Sequence, residues 1–129
     1  PALVPAKALA ATLEARIDIS EQTMRIYRNG RLMHRWKVST GRKGYRTPTG
    51  TYRPQRMYKR YYSRKYDNSP MPYSIFFRGG YAIHGTGSIK RLGRPASHGC
   101  VRLHPDNAAR LYSMVEQYGA GNTRIKITH

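Results

Sequence analysis

A chain of 129 residues can bury one hydrophobic core but hardly two, and it holds no apolar run of about 18 residues that could insert stably in a membrane. Lysine and arginine number 24 against 6 acidic residues, a formal net charge of +18, which disfavours cationic partners and attracts polyanions: nucleic acid, acidic lipid surfaces, or carboxylate- and phosphate-rich polymers. The single cysteine, Cys100, excludes an internal disulfide.

Pro1 to Leu13 are rich in alanine and proline and lack the basic-then-apolar order of a signal peptide, so residues 1–13 read as an N-terminal extension. The domain is expected over 14–129. Arg16 to Ile19 and Met24 to Tyr27 alternate polar and apolar and predict two strands; Asn29-Gly30 predicts a tight hairpin turn into a third, Arg31 to Ser39, with Leu32, His34, Trp36 and Val38 on one face. Thr47-Pro48-Thr49-Gly50 is turn chemistry before a short strand at Thr51-Tyr52.

Residues 53–73 show no clean period. Arg53, Arg56, Lys59, Arg60, Arg64 and Lys65 alternate with Tyr58, Tyr61, Tyr62 and Tyr66, which suits a lid-like functional loop, a solvated cover, or a stacking platform for single-stranded nucleic acid. Ser74 to Phe77 and Tyr81 to Ile83 predict strands around the Arg78-Gly79-Gly80 turn, and His84 leaves the second. Pro105-Asp106 opens a helix whose stripe is Ala108, Leu111, Tyr112 and Val115; Gly119 and Gly121 end it before a last strand, Arg124 to Ile127. About seven strands and one helix predict a mainly β domain.

The chemistry gathers in two stretches, His84-Gly85-Thr86 and Ser97-His98-Gly99-Cys100-Val101-Arg102. A thiol becomes a nucleophile as its thiolate, so a lone cysteine among imidazole, glycine and guanidinium groups reads as reactive, with His84, His98 and Arg102 as candidates to activate it. Two other readings stand beside this one. Cys100 could be an inert core filler, or His84, His98, Cys100 and His104 could hold zinc, although their H-x-C-x3-H spacing matches no common zinc framework. A basic nucleic-acid-binding module is the alternative from another class, resting on the charge and the Arg/Tyr loop alone.

These two stretches, together with Thr47-Pro48-Thr49-Gly50-Thr51-Tyr52, resemble the signature of the L,D-transpeptidase catalytic domain, a family of cysteine enzymes that cross-link or decorate bacterial peptidoglycan. The resemblance covers about residue 14 to the end. It implies a β-sandwich with one main helix after the cysteine and a long lid-like loop. It further implies Cys100 as nucleophile, His84 as base oriented by the carbonyl of Gly85, and backbone N–H groups around His98, Gly99 and Cys100 as donors to the oxyanion. Ser97, Arg102, Tyr61 and Tyr62 are expected to contact substrate; Arg102 could also pair with Asp106.

By the same resemblance the donor is a peptidoglycan stem tetrapeptide, and the acceptor is the amine of another stem or of an outer-membrane protein's N-terminus. No cofactor and no metal are required, carbapenem β-lactams should acylate the thiol, and nucleic acid is not expected as a partner. A monomer, exported to the periplasm or cell wall and active in cell-wall biogenesis and cell shape, is expected, with any leader lying outside this sequence.

Overall fold

The structure is a computed structural model and describes residues 12–129; residues 1–11 of the expected extension lie outside the described residues. Strand periodicity builds the first sheet. In β1 (Leu13–Asp18) Leu13, Ala15 and Ile17 are buried, in β2 (Thr23–Arg28) Met24 and Ile26, and in β11 (Thr123–Thr128) Thr123, Ile125 and Ile127, while the residues between face outward. With β3 (Arg31–Lys37) and β4 (Gly50–Tyr52) they form a five-stranded sheet in the order β3-β2-β1-β11-β4, with β1 parallel to β11. Asn29 and Gly30 make the β2–β3 turn with φ of 50° and 79°, the left-handed conformation that a two-residue hairpin requires.

One residue of β3 departs from the alternation read in the sequence. His34, Trp36 and Val38 keep one face, but Leu32 is 51% exposed. The ladder pairs Ile26 with His34 and Tyr27 with Leu32, so Met33 is an extra residue in a β-bulge. A bulge shifts the pleat by one position and sends Leu32 to the solvent.

The second sheet has four strands in the order β10-β9-β8-β5: β10 (Val101–Leu103), β9 (Tyr81–Gly85), β8 (Ser74–Arg78) and β5 (Arg56–Tyr58). Its inner residues Ile75, Phe77, Ile83, Val101 and Leu103 meet the first sheet and the stripe Ala108, Leu111, Tyr112 and Val115 of α1 (Pro105–Tyr118) in one core. This is a mainly β sandwich with one main helix, as expected. His104 caps α1 by accepting the Asp106 N–H at 3.1 Å, and Gly119 ends it at φ 90°.

Unlike β1 and β2, β8 is buried on both faces. Phe76 points away from the main core and joins Met71 and Ala82 in a second small cluster, against which Tyr61 and Cys100 pack. The segment expected to be irregular contains β5 and a miniature hairpin of β6 (Tyr62–Ser63) and β7 (Ser69–Pro70), joined through a single 3-10 turn at Arg64–Tyr66. Asp67 and Asn68 close that turn, both at φ 55°, a conformation these two residue types tolerate. Among the described residues no helix is long and apolar enough to cross a membrane.

Candidate active site

β9 and β10 run in parallel, with Ile83 opposite Val101 and His84 opposite Arg102. Because Ile83, Val101 and Leu103 turn into the core, the period of two leaves Ala82, His84 and Arg102 on the other face, and Cys100, immediately before β10, continues that face. His84 and Cys100 are thus diagonal neighbours on adjoining strands, a spacing of about 7–8 Å between backbones that side chains can bridge. Both line a cavity of about 1160 Å³ whose wall is the loop from Arg56 to Met71.

The turn that carries Cys100 is held from within and from below. Ser97 donates its hydroxyl to the Cys100 carbonyl at 2.6 Å and accepts the Gly99 N–H at 3.0 Å. Thr47, fully inside, donates to the Gly99 carbonyl at 2.9 Å and accepts the Gly41 N–H, also at 2.9 Å. The Ser97 N–H donates to the Thr40 carbonyl and the Arg42 N–H to the Ser97 carbonyl, each at 3.0 Å. Gly99 sits at φ 120°, and a Cβ there would lie 2.6 Å from the Tyr81 ring, so the turn has room for no other residue.

His84 is 6% exposed and aims Nδ1–H at the Gly85 carbonyl, 2.7 Å away. That bond leaves Nε2 as the unprotonated, accepting nitrogen. Gly85 is itself wedged: its N–H donates to the Pro72 carbonyl at 2.8 Å, and a Cβ would meet Pro105 at 3.1 Å and Pro72 at 3.2 Å. Burial lowers the His84 pKa to about 4, against the raising effect of the Gly85 bond and with help from the Arg102 charge. The ring is neutral at physiological pH.

Burial acts on Cys100 in the other direction, raising its thiol above the usual value. The Ala82 N–H and the Arg102 guanidinium oppose that shift without cancelling it. Of the three groups weighed in the sequence as activators, Arg102 does pull this pKa down, but desolvation of the thiolate outweighs it. In the free protein the pair is therefore thiol and neutral imidazole, and Sγ–H has the Gly80 carbonyl as a long contact at 3.9 Å.

The remaining expected residues separate by what they touch. Arg102 is half-buried and lines the cavity; Asp106 lies nearest His104, at 3.8 Å, so the ion pair weighed between Arg102 and Asp106 does not form. Ser97 also lines the cavity, but both functions of its hydroxyl are committed inside the turn. Tyr61 packs edge-on against Phe76 at 5.0 Å over the cavity floor, and Tyr62, 59% exposed, stands at the rim. His98 is clamped between Tyr66, stacked at 4.3 Å, and the edge of Tyr45, at 4.8 Å. Burial first, then Arg42, Arg102 and Lys65, push its pKa down.

The zinc alternative is not supported. His104 is occupied as the cap of α1, and among the described residues no three His, Cys, Asp or Glu side chains come together as a ligand set. Tyr45 was not singled out in the sequence, and Thr47 and Tyr66 were named only within a motif and a loop, without these contacts. Thr47 lies inside the turn motif that the resemblance places in the scaffold below the site; the structure adds its partner, Gly99, 52 positions away.

A cysteine and a neutral histidine thus share the open face of the smaller sheet of a sandwich, under a basic loop. The sequence profile of the L,D-transpeptidase catalytic domain (YkuD) matches residues 14–127, and the chain belongs to that family. It is 26% identical over 116 residues to the putative L,D-transpeptidase YkuD of Bacillus licheniformis, covering 87% of this chain and 63% of that one, and 26% identical over 115 residues to its Bacillus subtilis counterpart, with 86% and 63% covered. An L,D-transpeptidase from Mycobacterium smegmatis superposes with a TM-score of 0.81 at 23% identity, over 92% of this chain and 59% of that one. One from Stackebrandtia nassauensis gives 0.80 at 26%, over 92% and 56%. The chain thus spans about three-fifths of the length of these relatives.

Two outcomes follow from the site's construction. Thr47→Val keeps the shape but strips a partner from both the Gly41 N–H and the Gly99 carbonyl, which should cost about 1–3 kcal/mol in denaturant unfolding. Thr47→Ser should recover most of that loss. His84 binds its proton more weakly folded than unfolded, so its contribution to stability is complete above about pH 6.5 and is lost as pH falls toward about 4. That difference corresponds to about 3 kcal/mol, and urea unfolding of His84→Gln across this window should lack it.

Proposed function

We propose that the protein transfers a peptidoglycan stem peptide through a thioester on Cys100. The observation that carries this reading is the shared face of Cys100 and His84, with Nε2 left unprotonated by the Gly85 bond. Nε2 takes the thiol proton as sulfur attacks the amide carbonyl; the imidazolium returns it to the departing amine. A second amine, deprotonated by the same nitrogen, attacks the thioester and releases the thiol. Since both groups start neutral, charge appears only as the reaction proceeds, where it can be stabilised selectively.

The negative oxygen of the tetrahedral intermediate needs fixed donors. Gly99 N–H is already held by Ser97, which narrows the set around the turn to the N–H groups of Cys100 and His98. In a planar trans peptide the N–H points opposite the carbonyl, so Thr47, by holding the Gly99 carbonyl, directs the Cys100 N–H away from itself. Arg102 neutralises a carboxylate of the diacidic third residue of the stem, and Ser97 positions the turn. His98, clamped by two tyrosines, shapes the pocket.

The loop bearing Tyr61 and Tyr62 acts as a lid that keeps water from the thioester, and its arginines and lysines gather the anionic polymer. With the acceptor a stem amine or a protein's N-terminal amine, the site of action is the cell wall, reached by export. A similar L,D-transpeptidase, LdtMt1, has been solved in complex with imipenem, which supports carbapenem acylation of Cys100. Two of the loop's tyrosines favour this reading over the nucleic-acid module: Tyr61 packs on Tyr58 and Phe76, and Tyr66 stacks on His98, which leaves only Tyr58 and Tyr62 exposed.

Isolated peptidoglycan incubated with the protein should yield new muropeptides or released D-alanine by mass spectrometry. Cys100→Ala, folded by circular dichroism, should yield neither. Product formation by the folded variant would overturn the proposal.

A further inference from the structure

Nineteen of the 24 lysines and arginines, but of the six acidic residues only Asp67, fall between residues 22 and 105. The cavity uses five of these cations, Arg56, Arg60, Arg64, Lys65 and Arg102. A second group assembles outside it, where the end of β3 meets the loop that returns from His84 to the Cys100 turn. The Lys37 stem passes 3.8 Å from where a Cβ on Gly93 would stand. Gly93 N–H donates to the Val38 carbonyl at 2.8 Å, Ser39 Oγ to the Arg94 carbonyl at 2.7 Å, and Ala96 N–H to the Thr40 carbonyl at 3.0 Å.

These bonds fasten the loop to the segment after β3, so Lys37, Arg91 and Arg94 ride on one platform. Arg42 extends it, its N–H held by the Ser97 carbonyl. All four are exposed, none lines the cavity, and among the described residues none has an acidic partner within ion-pair distance. The charges of Arg42 and Arg91 both act on Arg102, which puts these two members beside the cavity.

Like charges gathered without counter-charges repel one another, and a polyanion that neutralises them relieves that repulsion and releases the small ions that screen it. A stem peptide has its few carboxylates on separate branches near the reacting bond. A phosphodiester chain repeats its charge along one strand and can meet several guanidinium groups at once, each in a bidentate match. Tyr45, the aromatic beside the ridge, is 40% exposed, but it carries the Arg42 guanidinium over its ring at 4.8 Å and meets His98 edge-on, so one face at most is left for a base, too little for a run of stacked nucleotides.

We propose that Lys37, Arg42, Arg91 and Arg94 form a docking ridge for a linear phosphodiester polymer of the cell wall, beside the catalytic cavity and separate from it. Only the word "wall" rests on the function proposed above; the binding itself does not depend on the chemistry at Cys100.

The test uses the full chain carrying Cys100→Ala, so that binding is read without turnover. Probes are a synthetic glycerol-phosphate oligomer, polyglutamate of equal charge, and a single-stranded oligonucleotide of equal charge. The glycerol-phosphate oligomer should bind best. Lys37→Gln/Arg91→Gln/Arg94→Gln should weaken it about tenfold at low salt and reduce the salt slope by about 2, near ~0.7 for each charge removed. The same triple change in the active protein should leave turnover of a free stem tetrapeptide within about twofold, which also shows that the variant folds. The proposal is overturned by no binding of the oligomer, by an unchanged affinity in the triple variant, or by equal or tighter binding of polyglutamate or the oligonucleotide. Binding that behaves as expected in a protein inactive toward stems would contradict the transpeptidase reading and leave the ridge intact.

Discussion

The parallel pairing of β9 with β10 is the constraint on which the site depends. Three core residues, Ile83, Val101 and Leu103, fix which way the two strands face, and the alternation then has no choice about His84, Arg102 and the residue that continues β10 backward, Cys100. Core packing therefore sets the geometry of the candidate site. A one-residue slip of either strand would bury the wrong side chains and separate the pair, which ties the site's register to the stability of the whole sandwich. Around this pairing, Gly85 between two prolines and the Ser97–Thr47 bonding beneath Cys100 remove the remaining freedom.

Burial has a second effect, on the charge state. It disfavours both imidazolium and thiolate, so the resting pair is neutral although the surrounding surface is strongly basic. A free thiolate would be exposed to oxidation and to unwanted electrophiles. A thiol activated only as substrate arrives is protected from both, and the neutral imidazole is already in the state that accepts its proton. The cations lie on the cavity wall and on the ridge outside it, where the proposed polyanions would meet them.

Much of this was legible in the sequence because it is local. The helix stripe from Ala108 to Val115, the Asn29-Gly30 hairpin, the strand ending at His84 and the Ser-His-Gly-Cys turn are each specified within a few residues. What could not be read depends on separation in the chain. The bulge that exposes Leu32 arises from the β2 partner, not from β3 itself. The support of Gly99 by Thr47 spans 52 positions, and the clamp on His98 joins Tyr45 and Tyr66 from two different loops. β5, β6, β7 and β10 are two or three residues long and have no period to detect. The net direction of the Cys100 shift could not be read for the same reason, since neighbouring charges are visible in a sequence and depth is not.

The proposed chemistry stands or falls on whether Cys100 forms a covalent acyl intermediate. A stem tetrapeptide mixed with the protein in the absence of any acceptor amine, quenched in acid and analysed by intact mass and fragmentation, tests it directly. One acyl group per chain, located on Cys100, labile to hydroxylamine and formed with one equivalent of D-alanine released, is the expected result. D-alanine release with no adduct, or an adduct on any other residue, would contradict it.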